Sequence, residues 1–345
     1  MKFLPAFLIA YSDSSFTNPH EVVLPDEPAE CTGNFTHMGA KYWGFETSRH
    51  LPLSRTETGF RFAHNSTHEF LIGLTHRSVV EEIHVSTKWF TGNQVPYISI
   101  ELIDGENSKW VVERAKLKPD EDHVFIVASL TASRCRVRCY HEGGIARVNL
   151  FGEPEEALLE QTNLLEKARI SYVSNDHYGS PAMAVEGQRE QDYMIGWESA
   201  RTGFGEQCVF TFYEPTKVGT LIVDTYMHRL NPPLSCHLFG LESEDLDEAM
   251  KKQPRWCIQF DNGTELVPED IQSFMKNKSY LELGIEDFSI SLKHDEGSSW
   301  IPLAPFSNLK PDTWHEIALS SAQPVKHLLY MHFPNGGVHG LKVFA

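Results

Sequence analysis

Apolar and polar residues alternate along most of this chain with the two-residue period of half-buried strands. From Ile83 the segment Val79–Phe90 reads apolar, polar, apolar, and Tyr97-Ile-Ser-Ile-Glu-Leu-Ile103 does the same. Thr91-Gly-Asn-Gln94 between them is turn chemistry. His123–Leu130, Cys135–Tyr140 and Ala146–Phe151 read as further strands, and Leu283–Leu292 and Leu328–Phe333 repeat the style later in the chain. Short strands separated by Gly, Pro and Asn turns predict an all-β chain of antiparallel sandwiches. Helical patterns are few. Glu155–Leu165 is one, and Glu242–Lys252 and Pro268–Met275 are two more.

Several segments occur twice and in the same order. Trp43-Gly-Phe-Glu-Thr-Ser-Arg49 returns as Ile195-Gly-Trp-Glu-Ser-Ala-Arg201. Ser86-Thr87 before Gly92-Asn93 returns as Asp224-Thr225 before Leu230-Asn231. Leu117-Lys-Pro-Asp120 returns unchanged as Leu309-Lys-Pro-Asp312, and Glu142-Gly-Gly-Ile145 as Asn335-Gly-Gly-Val338. Such order marks an internal duplication, with copies too long for a solenoid repeat and of a size for one domain each. The expected domains are residues 1–152 and 169–345, joined by a linker helix over 153–168.

The spacing between copies locates their insertions. Glu46 and Glu198 are 152 positions apart but Thr87 and Thr225 only 138, so the first copy holds about fourteen extra residues near 51–80. The second copy gains about 52 residues between Asn231 and Trp300, centred on 240–295. This reads as a decorated loop with short helices, or as a lid over a site.

Charge narrows the partners. The chain of 345 residues carries a net charge of −17, which disfavours nucleic acid and anionic membranes. A small-molecule substrate fits better, an anionic one needs locally placed Arg, and a homo-oligomer is compatible with this composition. No apolar run reaches the length of a membrane span. Six cysteines show no C-x-x-C spacing and read as free thiols of a reducing compartment, hence a cytoplasmic expectation. The alternative is secretion, because Met1–Ala10 has a weak signal-like shape. Against it, Ala10-Tyr-Ser-Asp13 resembles Val173-Ser-Asn-Asp176 at the start of the second copy. No His or Cys spacing suits a metal, and no nucleotide or flavin fingerprint occurs, so neither metal nor cofactor is expected.

The motif set resembles the allantoicase family, in which domain pairs carry G-W-E-x-x-R, D-T-x-x-F-x-G-N-x-P and P-D-G-G-I-A-R. Gly44–Arg49 and Gly196–Arg201 fit the first, Val85–Pro96 the second, and His141–Arg147 the third. The resemblance covers nearly the whole chain apart from about 240–295. It implies tandem jelly-roll, galactose-binding-like domains and hydrolysis of allantoate to ureidoglycolate and urea in purine breakdown.

Acidic positions depart from the family pattern. Trp43 and Ile195 stand where Asp precedes G-W-E, and Ser86 replaces the Asp that survives as Asp224. His228 and Leu230 replace the aromatic and the Gly of the second motif, and Gly340 stands where Arg147 closes the third. Glu46 and Glu198 are candidate proton donors or acceptors, with His50 as a third catalytic candidate and His228 beside it. The same Glu residues suit a purely structural pairing with Arg49 and Arg201. Arg49 and Arg201 suit a substrate carboxylate, with Asn93, Asp224, Asn231, Trp43 and Trp197 around them. His123 and His315, after the repeated L-K-P-D, read as structural.

Because the copies diverge differently, one working pocket per chain is expected. Two other readings stay open. One is a repurposed enzyme in which Trp43, Trp89, Ile195 and Trp197 line an apolar pocket for a larger secondary-metabolite substrate, with a cyclase-, isomerase- or pericyclase-like step. The other is a non-catalytic ligand-binding sandwich.

Overall fold

The protein was analysed as a computed structural model. It describes all residues except 16, 37–38, 41–42, 159–160, 190–195, 202, 243–244, 267, 282–286, 296 and 321–322. The chain divides into two compact units, Met1–Gln161 and Thr162–Ala345.

In the first unit two long strands, Thr67–Ser86 and Asp122–Tyr140, run antiparallel over their whole length. Register shifts fall between Ile126 and Leu130 and between Ala132 and Arg134. On one side of these shifts the pair is flanked by Ala6–Tyr11 and by Tyr97–Asp104, which in turn pairs with Asn107–Lys116. On the other side Arg147–Ala157 takes up the edge of Thr67–Ser86 and carries Lys2–Leu4. Bulges bend strands and let them pass from one layer of a sandwich to the other. Phe70, Ile72 and Leu74 from the first part and Ile83, Val85, Val148 and Leu150 from the second share one core. These are the alternate positions of the strand pattern, which is why the sequence shows a period of two.

The second unit repeats this order with its long strands interrupted. Ala168–Val173, Glu206–Thr216, Val325–Phe333, Ser235–Leu241 and Ile301–Asn308 form a five-stranded sheet. Trp314–Ala318, Thr220–Asp224 and Gly340–Phe344 form a three-stranded one. Phe210, Phe212, Leu328 and Tyr330 of the first sheet meet Leu221, Val223, Leu341 and Val343 of the second in a common core. Each unit is an antiparallel β-sandwich.

The insertion of the second copy is neither a decorated loop nor a lid. It forms the helices Leu246–Met250 and Pro268–Lys276 and a three-stranded sheet of Glu265–Leu266, Arg255–Phe260 and Phe288–Lys293. Trp256, Ile258, Ile271, Phe274 and Trp300 pack with Val209, Phe239, Leu329 and Met331, on the face of the five-stranded sheet away from the sandwich core. Trp300 is 1% exposed, and its Nε1 donates to Ala249 O at 3.1 Å. Burial on both faces explains why Leu328-Leu-Tyr-Met331 is a continuous apolar run.

The expected linker helix over 153–168 is also corrected. Arg147–Ala157 is a strand, and Leu164–Lys167 is a 3-10 turn capped by Asn163. Pro154 disfavours helix for the residue before it, and Glu155 is held by Arg77 at 2.9 Å. The Asn163 carboxamide donates to Val185 O and Leu341 O, each at 3.2 Å, so the turn is stapled to the second unit.

All six cysteines are buried free thiols. Among the described residues no helix is long and apolar enough to cross a membrane.

His332 gives the second unit a pH dependence. It is fully buried against Trp197 at 4.8 Å, and neither ring nitrogen has a partner among the described residues. Burial pushes its pKa down to about 3. Burial also lowers His228, His237, His315 and His339. A depressed base takes up protons in the unfolded chain first, so stability present above about pH 6.5 is lost as pH falls towards 3. His332 alone is expected to destabilise the second unit by about 2 kcal/mol between pH 7 and 5. Glu206, raised by burial despite its bond from Ser174, opposes this. Denaturant titrations of wild type and His332→Leu at both pH values check this. An unchanged pH slope in the variant would contradict it.

Candidate functional site

Three loops converge in each unit with the same hydrogen bonds. In the first, the two-residue strand Phe45–Glu46 pairs with Gly144–Ile145. Thr47 N donates to Gly143 O at 3.0 Å, and Gly143 N donates to Thr47 Oγ1 at 3.1 Å. Gly144 N donates to Asn93 O at 2.8 Å, and the Asn93 carboxamide donates to Glu46 Oε1 at 3.0 Å. In the second, Trp197–Glu198 pairs with Gly337–Val338. Ser199 N donates to Gly336 O and Gly336 N to Ser199 Oγ, both at 3.1 Å. Gly337 N donates to Asn231 O at 2.8 Å, and the Asn231 carboxamide to Glu198 Oε1 at 2.8 Å. The first glycine of each pair is required. Gly143 and Gly336 have φ of +148° and +134°, and a Cβ on either would lie 2.5 Å from backbone atoms of the Asn loop.

Glu46 is 2% exposed. Its Oε2 meets no hydrogen-bond partner among the described residues. Burial pushes its carboxyl above the ordinary value, against the opposing pull of the Asn93 bond and the nearby Arg49 charge. The Glu46–Arg49 loop is clamped by the N-terminal segment. Ser48 N donates to Asp13 Oδ2 at 2.6 Å, Ser48 Oγ to Ser14 O at 2.9 Å, and Ser15 N to Glu46 O at 2.8 Å. Asp13 Oδ1 in turn holds the buried His68 at 2.6 Å. Burial raises the Asp13 carboxyl, but its bonds from His68, Ser48 and Ser12 outweigh this and leave it below the ordinary value. Neither Asp13 nor His68 was among the sequence candidates. The resemblance of Ala10-Tyr-Ser-Asp13 to Val173-Ser-Asn-Asp176 was the available signal.

The second unit differs at three points. Glu198 is only half-buried. The place that Phe90 takes against Gly144 is taken by His228 against Gly337. The Asn231 carboxamide oxygen faces His228 Nδ1 at 3.3 Å, so that nitrogen carries the proton and Nε2 is the bare one. Finally, Asp224 is buried and held by Arg189 through two bonds of 2.7 Å. The Arg189 guanidinium lies over the rings of Tyr226 and Trp314 at 5.2 and 5.5 Å. Asp224 is therefore committed to an internal ion pair rather than free for a substrate.

Strand register sets the two divergent positions of each unit opposite each other. Ser86 lies opposite Arg147, and Asp224 opposite Gly340. Each unit keeps one half of a cross-strand acid–guanidinium pair. Arg147 donates to Asp26 O and Ala146 O, both at 2.8 Å, while the second unit supplies Arg189 from another segment. Arg189 lies outside every repeated motif, so no sequence signal marked it.

The other candidates fall as follows. Arg49 and Arg201 are both exposed, and the Arg49 charge acts on Glu46. His50 is exposed with a left-handed φ of 67°, and its backbone N–H is held by the Glu142 carboxylate, which makes it a turn residue. Trp43 is half-buried and bridges to Asn18. Trp197 corrects the pocket-wall expectation. It is 0% exposed, donates to Asn175 O at 2.6 Å and packs on Tyr330 and His332 in the core. Ile195 lies outside the described residues.

The repeated L-K-P-D is a corner. Asp120 accepts from Trp89 N at 2.9 Å and Asp312 from Met227 N at 2.8 Å, where both recipients have left-handed φ. His123 and His315 accept from Lys118 N and Lys310 N at 2.9 and 2.8 Å, the structural role expected of them. Among the described residues no three His, Cys, Asp or Glu side chains gather as a metal-ligand set.

Residues 3–155 match the model of the allantoicase repeat. The chain is 24% identical to the allantoicase of Saccharomyces cerevisiae over 364 aligned positions, which span 98% of this chain and 90% of that protein. It is 26% identical to a probable allantoicase of Rhizobium meliloti, over 97% of this chain and 89% of the relative. The first unit thus matches an allantoicase repeat, and nearly the whole chain is similar to allantoicases at low identity. The solved structure of the Saccharomyces cerevisiae allantoicase aligns with 99% of this chain and 90% of its own, at 20% identity and a TM-score of 0.35. The Glu–Asn pair is kept in both units, and in the first the carboxylate is buried with the Arg49 charge nearby.

Proposed function

We propose that this chain hydrolyses allantoate to ureidoglycolate and urea, and that the reaction runs in the first unit. The observation that supports this best is Glu46, a buried carboxyl raised by burial against the opposing pull of Asn93, Arg49 and Ser15, and oriented by Asn93 through one oxygen. Burial favours the neutral form of such a carboxyl, which can donate a proton to a leaving group. Arg49, whose charge acts on Glu46 and which has no ion pair among the described residues, suits the allantoate carboxylate.

As the bond from the central carbon to one ureido nitrogen breaks, Glu46 protonates that nitrogen and urea leaves. The lone pair of the second ureido nitrogen forms a C=N bond to the central carbon. Water adds to that carbon, its proton passes to the Glu46 carboxylate, and ureidoglycolate remains. Proton transfer of this kind contributes a factor of about 10²–10⁴.

Steady-state kinetics on allantoate with Arg49→Ala and Arg201→Ala test the placement. Arg49→Ala is expected to raise KM about tenfold or more, as loss of a charge-assisted bidentate pair does, with Arg201→Ala near wild type. The reverse pattern would move the reaction to the second unit. Two neutral variants would remove both Arg residues from it.

A further inference from the structure

The segment that the first copy has and the second lacks begins directly after Arg49. It forms a hairpin of Leu53–Arg55 and Phe60–Phe62. Ala63 N closes it by donating to Pro52 O at 2.7 Å, and Phe62 rests on His141 with ring centroids 5.5 Å apart. Ser54 and Arg61 are directly opposed in register, so they share one face of the ribbon. Beside that face lies an open depression of about 450 Å³, lined by Ser54, Arg61, His64 and Asn65 with Phe62 and Ala63, all exposed. This lies within the size range of small-molecule sites.

The segment is locally basic in an acidic chain. The chain has 47 acidic and 30 Lys and Arg residues, yet residues 49–65 carry three Arg and a single acid, Glu57. Arg55 lies over the Phe60 ring, but Arg61 has no carboxylate partner among the described residues. A guanidinium left uncompensated in so acidic a protein is a local exception to its field. The remaining polar lining, a hydroxyl, an imidazole and a carboxamide, can all donate hydrogen bonds.

We infer that the hairpin depression is a binding site for a small organic carboxylate, with Arg61 as its fork-shaped anchor and Ser54, His64 and Asn65 as supporting donors. The planar guanidinium matches a carboxylate in two parallel bonds. The depression is larger than a bare oxyanion needs, which selects a carboxylate carried on a body of several atoms. This inference does not rest on the allantoate reading, since it concerns a separate depression and is tested by binding alone.

Calorimetric titration with succinate, and with its neutral diamide as control, tests it on the full chain. Saturable succinate binding is expected, with the diamide at least about tenfold weaker. Arg61→Gln is expected to weaken succinate at least about tenfold, Arg61→Lys less, and Arg49→Gln not at all. Arg61 is exposed, so circular dichroism of the variant should match wild type. Absence of saturable binding, equal affinity for the diamide, or full affinity in Arg61→Gln would overturn the site. Loss in Arg49→Gln with Arg61→Gln spared would place succinate at the Glu46 loop and also overturn it.

Discussion

Replacing Glu46 by Gln is expected to lower kcat for urea release at least about 100-fold, the smaller end of what a positioned proton donor contributes. Gln keeps the volume and an oxygen for the Asn93 bond but has no proton to give. The loss should not come from unfolding. Burial raises the Glu46 pKa. A raised carboxyl contributes stability below its unfolded value near 4.5, and that stability is lost as pH rises through the folded value. A neutral amide escapes this loss, so Glu46→Gln should melt at or above wild type at neutral pH. The wild-type rate should fall on the alkaline side as Glu46 gives up its proton, a limb that the variant lacks. A variant that retains rate, or that loses it together with its cooperative melt, would count against a proton-donor role.

Arg189→Ala is expected to destabilise the second unit by about 3–5 kcal/mol, the range for leaving one partner of a buried ion pair alone. Asp224 is 2% exposed and, among the described residues, its carboxylate would keep the Tyr226 N–H at 3.1 Å. The guanidinium also gives up its contacts with Tyr226 and Trp314. The first unit has Ser86 where the second has Asp224, so Asp224→Ser combined with Arg189→Ala removes both charges. The double variant should recover part of the loss, which a denaturant double-mutant cycle measures. Strict additivity would mean that the two groups do not depend on each other.

Much of the fold was legible because alternation reports which strand face is buried. The motif order gave the duplication, and the shared L-K-P-D corner follows from it residue by residue. Contacts distant in sequence were not legible. Glu46 and Asn93 were separate candidates, and nothing in a linear pattern joins side chains 47 positions apart. Glu155–Leu165 has helical composition, but pairing of Arg147–Ala157 with the neighbouring strand overrides that propensity. The charged stretch at 242–252 drew attention away from Trp256, Ile258 and Phe274, which make the insertion a packed layer. Trp197 looked like a pocket wall because it adjoins Glu198. Neighbours on a strand point to opposite faces, and its face is the core.

The most direct measurement is urea release from allantoate by wild type, Glu46→Gln and Glu198→Gln at equal concentration. The account predicts turnover by wild type, at least about a 100-fold loss in Glu46→Gln, and Glu198→Gln within a few-fold of wild type. No urea from wild type, or loss in Glu198→Gln with Glu46→Gln intact, would contradict it.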